Sequence, residues 1–284
     1  MRLRSLLFVP GDRPERMEKA LGLGADALIL DLEDSVAIAN KAVARVAVAA
    51  FLARAETHVA LFVRVNPLDG DEIADDLAAL ADARLDGIVL PKAEGAPSIR
   101  DLVARLNDVG LAGTRILPVA TETPAAIFQL GSHTEVADHL HGVTWGAEDL
   151  PAAIGAVTSR EADGRYTAPY ELARSLTLFA AAAAGVAPIE TVYPDFRDSD
   201  GLATYAARAA RDGFTGMMAI HPSQIAPINA AFSPSEAALA HARTIVAAFA
   251  AQPDAGVLQI DGKMVDAPHL KQARRILASA TASV

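Results

Sequence analysis

Cysteine is absent from the 284-residue chain. Its absence excludes disulfides, thiolate metal ligands and a thiol nucleophile, and it is consistent with the cytoplasmic location that we expect. Basic residues are also scarce, since 25 Lys and Arg against 35 Asp and Glu give a formal net charge of −10. A broad electrostatic grip on nucleic acid or anionic lipid is therefore not expected, although a local basic patch could hold a phosphorylated ligand.

Long apolar segments are missing as well. The first apolar run, residues 6–9, stops at Pro10-Gly11 and is shorter than the roughly 7 to 15 residues of a signal-peptide core. The alanine-rich tract around residues 176–188 is shorter than the about 18 residues of a membrane span. We therefore predict a protein without membrane contact, and its hydrophobic content of 52% allows a large core.

Eight short apolar runs alternate with helical segments along the chain. Each run has the length of a strand buried on both faces, and no proline- or serine-rich linker separates them. This alternation predicts a single (β/α)8 TIM barrel, which needs about 250 residues. The runs are residues 6–9, 27–30, 59–65, 87–90, 116–120, 143–145, 188–193 and 216–220.

We assign residues 1–232 to the barrel and residues 233–284 to a C-terminal helical extension. The extension contains a clear helix start within residues 232–236, a short segment at 257–266 and a last helix from Pro268. Such a tail either packs as extra helices or covers the mouth of its own or a neighbouring barrel as a lid.

Carboxylates follow the fifth and sixth runs directly, as Glu122 and as Glu148 with Asp149. The carboxyl ends of barrel strands open on one face, so these acids are expected to converge there. Two acids without a cysteine or an evident histidine partner favour a hard cation such as Mg²⁺, held by few protein ligands and completed by water and substrate. We take Glu122 and Asp149 as the pair. A single acid of this kind could equally be a helix N-cap or a solvated loop charge, but the repetition favours a site.

Eight short motifs in order support a family assignment. They are LFVPG at 7–11, DLEDSV at 31–36, RVN at 64–66, LPK at 90–92, TET at 121–123, GAEDL at 146–150, AIHPSQ at 219–224 and DGKMVD at 261–266. With these motifs the chain resembles, over essentially its whole length, the citrate lyase β-subunit-like family of the HpcH/HpaI aldolase superfamily. That family includes malyl-CoA, citramalyl-CoA and citryl-CoA lyases.

The resemblance implies roles for the residues at the predicted mouth. Glu122 and Asp149 would be the protein ligands of Mg²⁺, and Arg64 would bind the carboxylate of a keto acid, for which a guanidinium fork is well suited. An ordinary salt bridge at the barrel rim is the alternative for Arg64. Glu33 and Asp34 would orient the metal waters and Arg64, with helix capping as an equally good interpretation.

The resemblance also implies roles outside the mouth. Asp266 would be a general acid/base brought by the lid, often across a subunit boundary, or a cap for the helix that follows it. Lys19 and Arg16 would bind the phosphates of coenzyme A, although a solvated helix face would explain them too. Met217 departs from the lysine that many relatives carry, which weakens the transfer of a particular substrate. We expect His221 to be structural and His133 to lie at the surface.

The function implied is a Mg²⁺-dependent carbon–carbon lyase that cleaves or forms a 3-hydroxy-carboxyacyl-CoA thioester, with acetyl-CoA and a 2-keto acid as the fragments. One alternative is a metal-dependent, pyruvate-type aldolase acting on free hydroxy-keto acids. Another is a non-catalytic subunit that binds an acyl-CoA or a carboxylate. The resemblance further implies a homo-oligomer, either a trimer or a hexamer.

Overall fold

The computed structural model describes residues 2–281. Contacts divide the chain into two compact units, Leu3–Asn229 and a smaller unit that contains Arg2 and the residues from Ala230 onward. Among the described residues, no helix combines the length and the apolarity needed to cross a bilayer.

Eight parallel strands form the centre of the larger unit. Their order in the sheet is β5-β4-β3-β2-β1-β8-β7-β6, and a parallel bridge between Val119 and Thr144 joins the two outermost strands. The backbone N–H of Ala120 also donates to the carbonyl of Thr144 at 2.9 Å. The sheet is thereby closed, which confirms the predicted TIM barrel. The strands are β1 (Ser5–Pro10), β2 (Ala27–Asp31), β3 (Ala60–Arg64), β4 (Gly87–Leu90), β5 (Arg115–Pro118), β6 (Gly142–Thr144), β7 (Ala187–Glu190) and β8 (Gly216–Ala219).

Helices lie on the outside of the barrel, where they connect successive strands or, in the case of the last ones, follow β8. They are α1 (Pro14–Ala20), α2 (Lys41–Arg54), α3 (Ile73–Leu80), α4 (Gly95–Asp108), α5 (Pro124–Gln129), α6 (Leu150–Ile154), α7 (Ala168–Ala184), α8 (Ser199–Asp212) and α9 (Ile225–Ala231), with 3-10 helices at Ile38–Asn40, Leu130–His139 and Pro222–Gln224. Helix α4 begins at Gly95, and the hydroxyl of Ser132, from a distant segment, accepts the N–H of Ala96 in its first turn.

Alternate strand residues point into the barrel and fill it with apolar side chains. Leu6, Ile29, Phe62, Val89 and Leu117 belong to this interior cluster, and all are buried. Their neighbours along each strand point outward to the helices, because successive strand residues face opposite sides. The interior is thus a packed core, and polar groups are left to the strand ends.

The smaller unit contains helix α10 (Glu236–Ala251), a hairpin of β9 (Val257–Ile260) and β10 (Lys263–Asp266), and helix α11 (Ala267–Thr281). The hairpin turns through Asp261 and Gly262, both with positive φ, which is the signature of a type I′ turn. Ala242, Ile245, Val265 and Ala273 form its core. The assignment of this unit as a lid stays a prediction.

Candidate active site

The loop after β2 is shaped by a buried aspartate. Asp31 is the last residue of β2, and its carboxylate accepts the backbone N–H groups of Glu33 at 2.9 Å and of Ser35 at 3.0 Å. The ammonium of Lys41 donates to the carbonyls of Leu32 at 2.6 Å and Glu33 at 2.8 Å. Because both ends of the loop are fixed, the largely buried carboxylate of Glu33 is held in one place.

Arg64 ends β3, directly opposite Asp31 in the strand register. Its Nε and Nη2 donate to the two oxygens of Asp31 at 2.7 and 2.8 Å, and its guanidinium lies over the ring of Phe8, 4.7 Å from the centroid. Burial alone would raise the pKa of Asp31, but the hydrogen bonds and charge of Arg64 outweigh it and lower that pKa below its usual range. The fork predicted to bind a keto acid is therefore already engaged on two nitrogens.

The third nitrogen of Arg64 is placed differently. Nη1 lies 2.8 Å from Oε2 of Glu33, yet that oxygen is buried without a hydrogen-bond partner. The two groups are thus an ion pair whose N–H is not aligned with the oxygen. Glu33 contacts Arg64, whereas the side chain of Asp34 is exposed, and the orienting role of both residues stays a prediction.

Lys92, which follows β4, is a site residue that the sequence analysis did not select. Its backbone N–H donates to Oε2 of Glu122 at 2.6 Å, and its Nζ lies 2.9 Å from Oε1 of Glu33 and 3.8 Å from Oδ1 of Asp149. Its φ of 50° is left-handed, which costs a non-glycine residue roughly 1–2 kcal/mol. The Pro-Lys pair directly after the fourth apolar run was the available signal.

Glu122 is nearly sealed from solvent, with a relative exposure of 6%. Burial, together with the charges of Glu33 and Asp149, raises the pKa of Glu122 to about 8. The hydroxyl of Thr121 and the backbone of Gly146 exchange two hydrogen bonds, at 3.0 and 3.1 Å. This exchange ties the segment that carries Glu122 to the segment that carries Asp149, the N-cap residue of α6.

These six residues, namely Asp31, Glu33, Arg64, Lys92, Glu122 and Asp149, form what we call the carboxylate cluster. With every group ionised, its four carboxylates exceed its two cations by two charges, a deficit that one divalent cation would neutralise. No group of three or more His, Asp or Glu side chains among residues 2–281 has the spacing of a metal site. Mg²⁺ commonly binds through one or two carboxylates with water completing its shell, so the oxygen donors present fit this ion.

Three other predicted site residues, Arg16, Lys19 and Asp266, are not members of the carboxylate cluster. Arg16 and Lys19 are exposed on α1, and neither forms an ion pair within the part of the chain that the structure describes. Asp266 belongs to the smaller unit, where its carboxylate pairs with Nδ1 of His269. That hydrogen bond lowers the pKa of Asp266.

The expectation for His221 is correct, and the expectation for His133 is wrong. His221 accepts the N–H of Ser223 at 3.2 Å and caps a 3-10 helix, as expected for a structural residue. His133 is fully buried, with Nδ1 2.9 Å from the carbonyl of Leu130, so its predicted surface position is wrong. Its neighbours in the sequence are polar, and only the packing of the 3-10 helix turns it inward.

A second charged group lies between the barrel and helices α7 and α8. The fully buried carboxylate of Glu190 accepts from Nε1 of Trp145, from the hydroxyl of Tyr205 at 2.9 Å and from Nε of Arg174 at 2.7 Å. Nη1 of Arg174 donates to Asp212 at 2.9 Å. We call this the outer network; it comprises Trp145, Glu171, Arg174, Glu190, Tyr205, Arg208, Arg211 and Asp212. A glutamate inside the seventh apolar run was its only signal in the sequence.

A cavity of about 960 Å³ borders the outer network, with Arg160, Tyr166, Tyr193 and Arg208 among its lining residues. No member of the carboxylate cluster lines it. Arg208 there is paired with Glu171. We place the candidate active site at the carboxylate cluster, because that is where unneutralised charge is concentrated.

Comparison with known proteins agrees with the barrel fold and with the family that the sequence motifs predict. Residues 4–222 match the HpcH/HpaI aldolase/citrate lyase family. A citrate lyase subunit beta-like protein of Mycobacterium tuberculosis is 39% identical over 96% of this chain and 94% of that protein. A (3S)-malyl-CoA thioesterase of Cereibacter sphaeroides is 37% identical over 98% of this chain and 95% of its own length.

One solved structure matches this chain over nearly its whole length. The crystal structure of CitE from Mycobacterium tuberculosis in complex with magnesium, acetoacetate and coenzyme A has a TM-score of 0.84 and 36% identity. The match covers 99% of this chain and 98% of that one. The predicted resemblance is confirmed, and the chain belongs to the HpcH/HpaI aldolase/citrate lyase family.

Proposed function

We propose that this protein is a Mg²⁺-dependent carbon–carbon lyase. It cleaves a 3-hydroxy-carboxyacyl-CoA thioester into acetyl-CoA and a 2-keto acid, or joins the two. The observation that carries the proposal is the approach of Glu122 and Asp149 to the same residue, Lys92, beside the Glu33–Arg64 pair. The CitE structure supports it, since its three ligands are a magnesium ion, a keto acid and coenzyme A.

Glu122 and Asp149 would hold the metal. When bound, Mg²⁺ supplies a Lewis acid for the hydroxyl and carboxylate oxygens of the substrate. Glu122 is suited to this role because burial makes its anion costly and raises its pKa to about 8. Cation binding therefore replaces a proton on Glu122 near neutral pH.

Arg64 is proposed to position the substrate carboxylate. Asp31 and Phe8 fix the plane of its guanidinium, so little side-chain entropy remains to be lost when a ligand binds. Nη1 makes no aligned hydrogen bond with Glu33, so its N–H groups are left to donate to a ligand. Glu33 and Asp34 are proposed to orient the water around the site.

Asp266, of the same or a neighbouring chain, is the proposed general acid/base. In cleavage it protonates the thioester enolate, and in synthesis it removes the methyl proton of acetyl-CoA, a role typically contributing about 10² to 10⁴ in rate. Its hydrogen bond with His269 favours the ionised carboxylate, which is the form that removes the methyl proton in the synthetic direction. The need for this residue is one reason to propose a homo-oligomer, as a trimer or a hexamer.

Lys19 and Arg16 are the proposed contacts for the phosphates of coenzyme A. Both are exposed and lack an acidic partner among residues 2–281, so their charge is free to meet a phosphate. Charge reversal at both positions should raise KM for a thioester several-fold and leave a free hydroxy-keto acid unaffected. Equal effects on both substrates would favour the aldolase without coenzyme A.

The direct test compares isosteric variants in a panel of hydroxyacyl thioesters. Glu122→Gln and Asp149→Asn should each lower turnover by on the order of 10² or more, because several kcal/mol of charge stabilisation are lost. Glu135→Gln, at an exposed pair with Arg100, is the matched control and should behave as the wild type. Full turnover in both site variants would overturn the proposal, and no turnover of any thioester by the wild type would favour a binding subunit.

Thioester hydrolysis is a second candidate, favoured by the 37% identity to a (3S)-malyl-CoA thioesterase. The products separate the two reactions. A lyase releases a 2-keto acid and leaves the acetyl thioester intact, whereas a thioesterase releases free coenzyme A and the hydroxy acid. Parallel assays for keto acid and for free thiol in one reaction would decide between them.

A further inference from the structure

We propose that Lys92 is a fixed counter-ion that limits the carboxylate cluster to one divalent cation and keeps the loaded site receptive to an anionic ligand. The inference rests on the proposed function, since it takes Glu122 and Asp149 as the metal ligands. Lys92 reaches these two acids and Glu33, which come from segments following three other strands.

The charge count gives the reason. Asp31, Glu33, Glu122 and Asp149 contribute four negative charges, and Arg64 and Lys92 contribute two positive ones. One divalent cation brings the sum to zero. Without Lys92 the loaded site would retain one negative charge, which would attract the cation more strongly and repel a carboxylate substrate.

The geometry distinguishes Lys92 from a lysine with a purely structural role. Lys41 provides the contrast, because its ammonium is buried and donates to two backbone carbonyls and the amide oxygen of Asn66. The side chain of Lys92 is 33% exposed and its polar contacts are carboxylates. Its left-handed backbone lets one residue direct both its N–H and its ammonium at acids.

Lys92→Met is therefore expected to move two affinities in opposite directions. The Kd for Mg²⁺ should fall, on the order of tenfold, because a unit charge a few ångströms from the ligands acts strongly at an effective dielectric near 20. The Kd for oxalate, measured in protein saturated with Mg²⁺, should rise by a similar factor. Lys92→Arg keeps the charge and should leave both values close to those of the wild type.

Isothermal titration of the full-length protein with MgCl₂, and then with oxalate, tests this without any turnover. The titrations are best run near pH 9, above the pKa of about 8 of Glu122, so that protons do not compete with the metal. Arg100→Met removes one positive charge at an exposed pair in the same unit and serves as the control for net charge. Thermal unfolding of each variant shows that it is folded.

Four outcomes overturn the inference. Unchanged or weaker Mg²⁺ binding in folded Lys92→Met would do so, and so would an equal gain of Mg²⁺ affinity in Arg100→Met. If Lys92→Met does not fold, Lys92→Arg decides, since a loss of Mg²⁺ affinity there would show that lysine geometry matters rather than charge. Absence of Mg²⁺ binding in the wild type would overturn the proposed function as well, whereas wild-type binding that Asp149→Asn abolishes leaves only this inference at stake.

Discussion

Two groups of charged residues in the barrel unit differ in how their charges balance. The carboxylate cluster has four acids against two bases. The outer network has three acids, Glu171, Glu190 and Asp212, against three arginines. Burial, together with the nearby carboxylates, raises the pKa of Glu122 to about 8. The outer network needs no further cation, whereas the fully ionised carboxylate cluster keeps two negative charges that one divalent cation would neutralise.

The difference separates a stabilising arrangement from a reactive one. Both groups contain a buried arginine bound to a buried carboxylate, namely Arg174 with Glu190 and Arg64 with Asp31. Burial and ion pairing alone therefore do not identify a functional site. What identifies it is the uncompensated charge at Glu122, together with the left-handed backbone of Lys92.

The largest effect is expected when the outer network loses one of its buried charged residues. Glu190→Ala should lower the free energy of unfolding by about 3–5 kcal/mol, because the buried Arg174 loses its main partner. Urea denaturation of the purified variant measures the change. Glu135→Ala, at an exposed pair, should stay within about 1 kcal/mol of the wild type. A loss at Glu190 no greater than that of the control would show that the outer network contributes little stability.

Mg²⁺ should stabilise the folded protein by binding to the carboxylate cluster, and it should not bind to the outer network. At a hundredfold excess over Kd, the gain in unfolding free energy is about 2.7 kcal/mol for a ligand that binds only the folded state. Asp149→Asn should abolish this gain, whereas Asp212→Asn in the outer network should retain it. Thermal unfolding with MgCl₂ or with a chelator measures the gain. If the gain in unfolding free energy persists in Asp149→Asn, the metal does not bind at the carboxylate cluster.

The pH dependence of stability should also differ between the two groups. In the metal-free protein the pKa of Glu122 rises from an ordinary 4.5 to about 8. Between these values the folded state keeps a proton that the unfolded state has released, so stability falls as pH rises. The slope from this group is at most about 1.4 kcal/mol per pH unit.

Glu122→Gln tests that slope, because an amide does not titrate. Urea denaturation from about pH 5 to pH 8 in the presence of a chelator should show a smaller decline in stability for this variant than for the wild type. The control Glu135→Gln should keep the wild-type slope. Equal slopes in Glu122→Gln and the wild type would mean that the carboxyl is not held protonated.

The sequence predicts the barrel and the convergence of its acids for a physical reason. Eight buried strands must be apolar on both faces, so polar residues appear only where each strand ends, and those ends share one mouth. Glu122 and Asp149 follow from this rule. The family resemblance adds Arg64, and the structure brings all three to the carboxylate cluster, while their roles as ligands and binder stay predictions.

That rule does not predict the contacts that other residues make. Asp31 becomes the partner of Arg64 only through the register of β2 and β3. Lys92 depends on a left-handed backbone, which is ordinarily expected of glycine, asparagine or aspartate. Glu190 faces outward, where contacts from α7 and α8 compensate its charge, and such contacts are far apart in the sequence. In each case a tertiary contact decided the outcome.

The smallest effect is expected from a single methyl group next to the carboxylate cluster. A Cβ added at Gly146 would lie 2.7 Å from Cγ of Glu122 and 2.9 Å from its Oε1, which is closer than packing permits. Gly146→Ala should therefore displace Glu122 and raise the Kd for Mg²⁺ by roughly tenfold, equivalent to about 1.4 kcal/mol.

Gly131→Ala is the matched control, because a Cβ there meets no atom within 4 Å. Isothermal titration with MgCl₂ should distinguish the two variants. Their unfolding free energies should lie within about 1–3 kcal/mol of each other. If Gly146→Ala binds Mg²⁺ as tightly as Gly131→Ala, the carboxyl of Glu122 has room to move. Its observed position would then not set metal affinity, and the charge excess alone would account for the site.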